Sequence, residues 1–342
     1  MKTALIYSAL TVLLTQASFA ETSPSEMVRQ LGAGINIGNV MSAPQEGNWA
    51  KPIEPFYFED IRAVGFDHVR IPVRWDQHTD QSPPYRIDPD WLLRVKTVIE
   101  WAQDEDLKVV LNAHGEHWFI EACGKREEFY CSPENWQRML AIWAQISAYF
   151  SDQPDALLFE LINEPYFHLS KKVVDKLNQE LLAIVRKHNP TRNVLITGGG
   201  ANSIHAPMQI DPAFIQSDPH LIAWFHYHWP NTFTKYPETK NSQPTWGTGE
   251  DIAFLEDNFL RVKQWADQHQ IPIYLGEYGV NNSSDPRSRA LYFKKVKETA
   301  KSLGFADAIW CAGPKAKKVV YYREKRQWDK NSLDGLFSDS EQ

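Results

Sequence analysis

Two glutamates, Glu164 and Glu277, each follow an apolar run that is typical of a buried strand. Glu164 closes "LLFELINE" and precedes "PY", whereas Glu277 closes "IPIYLGE" and precedes "YG". Two carboxyl groups that flank one substrate can hydrolyse a glycosidic bond. One is protonated and donates to the leaving oxygen, while the other is ionised and attacks carbon or activates water. Their separation decides whether configuration is retained or inverted, and residue types alone leave this open.

A structural ion pair is the alternative interpretation of these glutamates. Arg70, in "DHVRIPV" (67–73), could neutralise either carboxylate inside the fold. Buried ion-pair networks perturb carboxylates much as active sites do, so a single glutamate at a strand end would fit both interpretations. Two such glutamates among further polar strand ends favour the catalytic one.

Eight strand-like apolar runs alternate with amphipathic helical patterns along the chain. The runs are residues 32–38, 67–73, 108–114, 156–163, 193–199, 221–228, 271–278 and 305–310. The clearest helical patterns cover residues 89–103, 133–150, 173–188, 250–269 and 288–303. This alternation predicts the α/β class and a single (β/α)8 TIM barrel over residues 21–342. An open doubly wound sheet is disfavoured, because Ile37 replaces the third glycine of its phosphate-binding turn.

Polar and aromatic residues stand at the carboxyl ends of seven of these eight runs. In a barrel those ends meet on one rim, where catalytic side chains are found. We therefore expect one polar pocket formed by Asn36, Arg70, His114, Asn163, Glu164, His226, His228, Glu277 and Trp310.

The first twenty residues have the pattern of a secretory signal. Lys2 supplies the positive start, "ALIYSALTVLL" is a short apolar core, and "SFA" ends at Ala20 with small residues for cleavage. The core is shorter than the ~20 residues that span a bilayer. The pattern predicts a secreted or periplasmic protein.

The charge of the chain limits its partners. A formal net charge of −7 disfavours nucleic acid and anionic membrane surfaces, which select basic proteins. The segment "HGEH" (114–117) lacks the H-E-x-x-H spacing of a zinc helix. We expect a monomer that needs neither a metal nor another cofactor.

Three cysteines in a secreted chain suggest one disulfide and one free thiol. Cys123 and Cys131 flank "GKREEFY" and could close one loop, which would leave Cys311 unpaired. Other pairings remain possible from the sequence.

The chain resembles glycoside hydrolase family 5 of the clan A retaining barrels, in particular bacterial endo-β-1,4-glucanases of the thermophilic cellulase–mannanase type. The resemblance extends over essentially the whole chain after residue 20. The segments that carry it are "GAGINIGNVMSAPQEGNW", "GFDHVRIPVRW", "KVVLNAH", "LLFELINEPY", "FHYHWPNTFT", "IYLGEYG", "IWCAG" and "WDKNSLDGLF".

The resemblance implies a role for each residue of the predicted pocket. Glu164 would be the acid/base and Glu277 the nucleophile of a retaining, endo-acting enzyme without a cofactor. Arg70 would keep Glu277 ionised, since a nearby cation lowers the pKa of a carboxyl group. The remaining residues would contact the sugar: Asn36, His114, Asn163, His226 and Trp310.

The chain departs from the family pattern near the predicted pocket. The sixth strand ends His226-Tyr227-His228, where the family has His-x-Tyr with the tyrosine bonded to the nucleophile. Either His228 takes that place or Tyr227 shifts into it. Gly115 replaces the second histidine of a frequent pair, and Cys311 follows Trp310 where a glutamate is frequent.

These departures leave the polymer open. The resemblance favours a β-1,4-glucan; mannan, glucomannan, xyloglucan and mixed-linkage glucan are alternatives, and a non-catalytic polysaccharide-binding barrel is the alternative of another class. Five tryptophans in predicted loops could stack on sugar rings: Trp49, Trp75, Trp118, Trp229 and Trp246.

Overall fold

The computed structural model describes residues 21–115, 117–120, 123, 131–165, 169–199, 203–235, 243–313 and 317–337. The predicted signal segment, residues 1–20, lies outside the described residues.

Eight parallel strands form a closed barrel in chain order, which confirms the predicted fold. They are β1 (Ala33–Asn36), β2 (His68–Val73), β3 (Lys108–Ala113), β4 (Leu157–Glu160), β5 (Val194–Ile196), β6 (Leu221–Tyr227), β7 (Ile273–Tyr278) and β8 (Ala306–Ile309). Each lies inside one of the eight apolar runs of the sequence. Nearly every strand residue is buried, because the barrel interior covers one face and the helices cover the other.

The helices surround the barrel and fill its connections. They are α1 (Pro24–Leu31), α2 (Phe56–Ala63), α3 (Pro89–Asp104), α4 (His117–Ile120), α5 (Pro133–Tyr149), α6 (Lys171–Arg186), α7 (Pro212–Gln216), α8 (Asn231–Thr234), α9 (Gly249–His269), α10 (Pro286–Ser302) and α11 (Lys330–Phe337). Over the described part of the chain, none of them combines the length and apolar character needed to cross a membrane.

Five helices begin with the same dipeptide pattern, a Ser or Asp followed by Pro. Before α3, for example, the Asp88 side chain accepts a hydrogen bond from the backbone N–H of Asp90, and Pro89 occupies the first turn. The cap accepts a hydrogen bond from a backbone N–H that has no partner within the helix. Proline lacks a backbone N–H, but no hydrogen bond of the helix needs one in the first turn. The pattern sets where these helices begin and so fixes the lengths of the preceding loops.

The core has two parts. The larger lies between the strands and the surrounding helices. The smaller fills the barrel interior with side chains such as Val110, Leu158 and Trp224, and α1 adds Met27 and Leu31 from below. This interior layer closes the barrel below the polar residues of the upper rim.

A carboxy-terminal segment follows β8. Two short strands, β9 (Tyr321–Tyr322) and β10 (Gln327–Trp328), pair antiparallel, and α11 follows them. Residues 317–320 run beside the upper rim, where Cys311 donates its backbone N–H to the carbonyl of Lys318 at 3.0 Å.

Candidate active site

Arg70, on β2, lies at the centre of the polar groups below the rim. Its side chain is fully buried, and its five N–H donors make five hydrogen bonds. Two bonds, of 2.6 and 2.7 Å, go to Glu160, and the others go to Asn36 (2.8 Å), Glu277 (2.7 Å) and Asn163 (2.8 Å). These contacts fix two carboxylates and two amides in one rigid unit.

Strand register explains why these residues meet. Asn36 of β1 is the register partner of Arg70 on β2, and Asn112 of β3 is that of Glu160 on β4. The Asn112 amide donates to Glu160 Oε1 at 3.1 Å. Because all strands are parallel, the same level of each strand contributes to one layer of the barrel interior.

Glu160 is the functional residue that the sequence analysis missed. It lies inside "LLFELINE", where it reads as one polar residue within an apolar run. The fully buried carboxylate binds Arg70 through both oxygens, and this pairing raises the pKa of Arg70 well above its usual value. Two charged residues inside apolar strand-like runs, Glu160 in "LLFELINE" and Arg70 in "HVRIPV", are the signal that could have revealed this ion pair.

Replacing Glu160 by Gln should lower the free energy of unfolding by about 3 kcal/mol, because losing one charge of a buried pair leaves the other uncompensated. Urea unfolding followed by circular dichroism measures this change. The matched control is Glu298→Gln, which removes an exposed partner of Lys295 and should cost less than about 0.5 kcal/mol. Equal stability of the two variants would contradict the structural role of Glu160.

Glu277 lies at the end of β7 and is held as a carboxylate. Its side chain is 7% exposed, Oε1 accepts from Arg70, and His228 Nε2 lies 3.5 Å from Oε2. Burial opposes ionisation, but the charge of His226, the bond from His228 and the charge of Arg70 outweigh it. The pKa of Glu277 is therefore well below its usual value. An ionised, buried carboxylate fits a nucleophile.

Glu164 follows β4 in a turn with an unusual backbone. Its φ of +27° lies outside the regions that non-glycine residues favour, and such conformations concentrate at functional sites. Its side chain is 24% exposed, more than that of Glu277, and Oε1 lies 2.9 Å from His226 Nδ1. The turn directs this carboxylate toward the open side of the rim.

Glu164 and His226 are in direct contact at the rim, with Glu164 Oε1 2.9 Å from His226 Nδ1. Burial raises the pKa of Glu164, but the bond from His226 and the charge of that imidazole outweigh it, giving a pKa of about 2. Burial and the charge of Glu277 act in the opposite direction and raise the pKa of Glu164. The pKa of Glu164 therefore depends on its contact with His226.

A bulge places His226 between the two glutamates. The register of β6 and β7 pairs Phe225 with Leu275 and then His226 with Glu277, so Gly276 is skipped. His226 Nδ1 is consequently 2.9 Å from Glu164 and 3.8 Å from Glu277. A Cβ at Gly276 would lie 2.9 Å from His226 Nε2, so a glycine is needed for this approach.

The two carboxyl groups face each other across a short gap. One oxygen of Glu164, one of Glu277 and a ring nitrogen of His228 all lie within 4.8 Å of one another. A separation near 5 Å is typical of retaining glycosidases, whereas inverting enzymes need ~6.5–9.5 Å to admit a water molecule.

The structure directs His228, and not Tyr227, toward Glu277. Tyr227 is 4% exposed and packs on Phe259 and Tyr292 behind the strand. Adjacent strand residues point to opposite faces, so only one of the pair can face the pocket. His228 therefore stands where the family pattern has tyrosine.

His114 and Trp310 line the other side of the pocket. Their rings are stacked, with centroids 6.2 Å apart and an interplanar angle of 11°. Burial, followed by the charge of Arg70, lowers the pKa of His114 to about 4, so it is neutral in the working range. Buried His114 Nδ1 and His226 Nε2 have no hydrogen-bond partner among the described residues. Both nitrogens are covered by protein atoms and lie below the surface of the pocket.

Asn36 differs from its predicted role as a substrate contact. It is fully buried beneath Arg70, its Oδ1 accepts from Arg70, and its Nδ2 donates to the Gly276 carbonyl at 2.9 Å. Since both ends of the amide are used, Asn36 positions Arg70 and the β7 backbone. Arg70 likewise positions the side chains that it bonds, whereas Asn163 lies at the rim as predicted.

Three of the five loop tryptophans are packing residues. Trp75 and Trp246 are 2% and 6% exposed, and Trp118 packs against the core under Arg138. Trp229, by contrast, is 48% exposed and lies 6.1 Å from the equally exposed Phe254.

Trp229 and Phe254 border an open cleft of about 400 Å³ beside the two glutamates. The cleft also includes His226, His228 and Lys235. It thus joins an aromatic surface to the catalytic rim.

Cys123 and Cys131 form a disulfide, and Cys311 is a buried free thiol. Residues 124–130 between the paired cysteines lie outside the described residues. A cis peptide joins Trp310 to Cys311. Burial raises the pKa of the Cys311 thiol to about 12, which fits a packing role beneath the pocket.

Comparison with known proteins identifies the family of this barrel. The family model of cellulase, glycosyl hydrolase family 5, matches residues 30–316. The chain belongs to glycosyl hydrolase family 5. The match includes every residue of the rim described above.

Curated relatives and solved structures agree with this family. The chain is 37% identical over 319 residues to Endoglucanase H of Acetivibrio thermocellus, covering 92% of this chain but 34% of that protein. The structure of Cel5A from Thermotoga maritima in complex with mannotriose superposes with a TM-score of 0.83 at 30% identity. It covers 92% of this chain and all of that one. A Cel5A structure in complex with cellobiose matches equally well.

Proposed function

We propose that this protein is a retaining, endo-acting β-1,4-glucanase in which Glu277 is the nucleophile and Glu164 the acid/base. Glu277 attacks the anomeric carbon while Glu164 protonates the leaving oxygen. Glu164 then removes a proton from the water that releases the glycosyl enzyme. The single observation that carries the proposal is the opposition of the two carboxyl oxygens within 4.8 Å.

The environments of the two glutamates support the division of roles. Glu277 is the more buried, bonded to Arg70 and ionised, as a nucleophile must be. Glu164 is the more exposed, as suits a group that exchanges protons with the leaving oxygen and with water, and its Oε1 lies 2.9 Å from His226 Nδ1.

The surroundings of the rim support a polysaccharide as substrate. Trp310 and His114 form one wall, and Trp229 with Phe254 forms an exposed aromatic surface on the other side. Pyranose rings have apolar faces that pack on aromatic rings. The open cleft that Trp229 and Phe254 border continues to His226 and His228, which fits a chain that extends beyond the site of cleavage.

A β-1,4-glucan is the first candidate polymer, because the relatives are named endoglucanases. A β-1,4-mannan is the second candidate, because a similar structure is described with mannotriose. Secretion and a monomeric state, predicted from the sequence, complete the proposal.

A substrate panel with product analysis tests the proposal. Carboxymethyl cellulose, mixed-linkage glucan, xyloglucan, glucomannan and mannan are compared by kcat/KM, and 1H NMR records the first reducing end released. We expect the highest kcat/KM on a β-1,4-glucan and a β-anomer that forms before mutarotation. A first-formed α-anomer would exclude retention, and the highest kcat/KM on mannan would select the second candidate.

A further inference from the structure

Three side chains form a line from the carboxy-terminal segment to the proposed nucleophile. Lys318 Nζ lies 3.0 Å from His228 Nδ1, and His228 Nε2 lies 3.5 Å from Glu277 Oε2. The second distance is at the long end of hydrogen bonding, as is common for catalytic contacts before substrate binds. His228 is 8% exposed and Glu277 is 7% exposed, so solvent has little access to either contact.

The first contact decides where His228 carries its proton. An ammonium group has donors and no acceptor, so Lys318 requires Nδ1 to accept. A neutral imidazole has one N–H, which must then be on Nε2. That N–H points at Glu277 Oε2, the oxygen that Arg70 does not bond. The opposite tautomer would place a lone pair against the carboxylate.

The backbone holds Lys318 in place. Residues 317–320 are fixed on both sides by Asn282, which follows β7, and by Cys311, which follows β8. Asn282 N–H donates to the Lys317 carbonyl at 2.6 Å, and its side chain exchanges bonds with Val319 at 2.6 and 2.9 Å. Lys318 O and Val320 N–H bond the backbone of Cys311 at 3.0 and 3.1 Å. A segment fixed in this way presents one lysine at a defined position.

We propose that Lys318 is a positioning residue that fixes the Nε2–H tautomer of His228 and thereby supplies the nucleophile with the donor that tyrosine gives in the family pattern. The inference rests on the proposed role of Glu277. It also assigns a task to the segment after Trp310, where the sequence departs from the family.

The pH range of this arrangement follows from its charged neighbours. The groups that face Lys318 and His228 come from four elements: Lys235 after β6, Glu277 on β7, Glu164 after β4 and Cys311 after β8. Burial, then the charge of Lys318, lowers the pKa of His228 to about 4, so it becomes neutral above that pH. Burial, then Lys235, lowers the pKa of Lys318 to about 8, so it stays charged below that pH. The tautomer is thus held between about pH 4 and 8.

A double-mutant cycle at pH 6.5 tests the inference. Lys318→Met and His228→Phe should each lower kcat about 10-fold, the value of one hydrogen bond to a charged group, with little change in KM. Because Lys318 acts through His228, the double variant should be no slower than His228→Phe alone. Losses that multiply in the double variant, or an unchanged kcat in Lys318→Met, would overturn the inference. Lys317→Met, an exposed neighbour, is the matched control and should retain parental kcat.

Nitrogen NMR of imidazole-labelled protein reads the tautomer directly. His228 is assigned by its absence from the spectrum of His228→Phe. We expect an Nε2–H pattern in the parent at pH 6.5, a tautomer mixture in Lys318→Met, and the parental pattern in Lys318→Arg, which keeps a permanent cation. The parent should lose the pattern as pH rises through about 8, and Lys318→Arg should not. An identical His228 pattern in parent and Lys318→Met would overturn the inference.

Glu277→Ala separates this inference from the proposed function. If that variant kept near-parental activity, the role of Glu277 would fail, and the inference with it. If it were inactive while the losses of Lys318→Met and His228→Phe multiplied, the inference alone would fail.

Discussion

Replacing Glu277 by Ala is expected to lower kcat on the best β-glucan by about 10⁴-fold or more, the effect of removing a nucleophile from an assembled site. The fold should survive, because Arg70 keeps Glu160, Asn36 and Asn163 as partners. Initial rates of reducing-sugar release, with circular dichroism as a check of folding, measure the change.

Azide provides the control for this variant. Alanine leaves room for a small anion beside the anomeric carbon, on the face from which Glu277 would attack. Azide should restore cleavage of an activated β-aryl cellobioside and give an α-glycosyl azide, since one displacement inverts configuration. Activity above about one hundredth of the parental value without azide would show that Glu277 is not the nucleophile, because loss of a nucleophile costs far more.

Replacing Glu164 by Ala is the second large effect. Cleavage of a β-glucan should fall about 10³-fold, within the range of a lost general acid. An aryl glycoside with a dinitrophenolate leaving group needs no proton, so its first step should change little. Release of the glycosyl enzyme should become slow, because the base is missing as well. Stopped-flow detection of the phenolate should therefore show a burst followed by a slow phase.

The azide product distinguishes the two glutamates. With Glu164→Ala, azide enters in place of water after the first displacement, so the product should be a β-glycosyl azide. An α product here, or equal losses on natural and activated substrates, would contradict the assignment of Glu164 as acid/base. Opposite anomers from the two variants can arise only if the residues act from opposite faces of the sugar.

The contacts around these glutamates support a mechanism in which one site catalyses both the formation and the hydrolysis of the glycosyl enzyme. His226 Nδ1 lies 2.9 Å from Glu164 and 3.8 Å from Glu277, so an N–H at that position faces both carboxylates. In the proposed mechanism the sugar esterifies Glu277, and the charge of Glu277 then no longer raises the pKa of Glu164. Glu164 can then stay ionised and act as a base toward water.

Local sequence was sufficient for the strands and for much of the rim. All eight strands fall within the runs read from apolar residues, because a barrel strand is buried on both faces and tolerates few polar residues. A polar side chain at the end of such a run is then conspicuous. Glu164, Glu277, His114 and His226 were found in this way.

Strand register decides the roles of two further residues. The sequence did not reveal the first, Glu160, and it predicted a different role for the second, Asn36. Glu160 lies inside an apolar run, and only the packing of β2 against β3 and β4 shows that it neutralises Arg70. Asn36 was expected at the substrate, but the barrel places it under Arg70 with both ends of its amide bonded.

The sequence by itself determined the barrel, the pair of glutamates and most of the pocket, because hydrophobic periodicity and strand-end chemistry are local properties. Tertiary structure alone decided that the carboxyl groups oppose each other within 4.8 Å, that His228 faces Glu277 while Tyr227 faces the helices, and that Lys318 lies behind His228. Such contacts join residues that are distant in the chain, and their distances follow from strand register, bulges and backbone bonds that no single segment encodes.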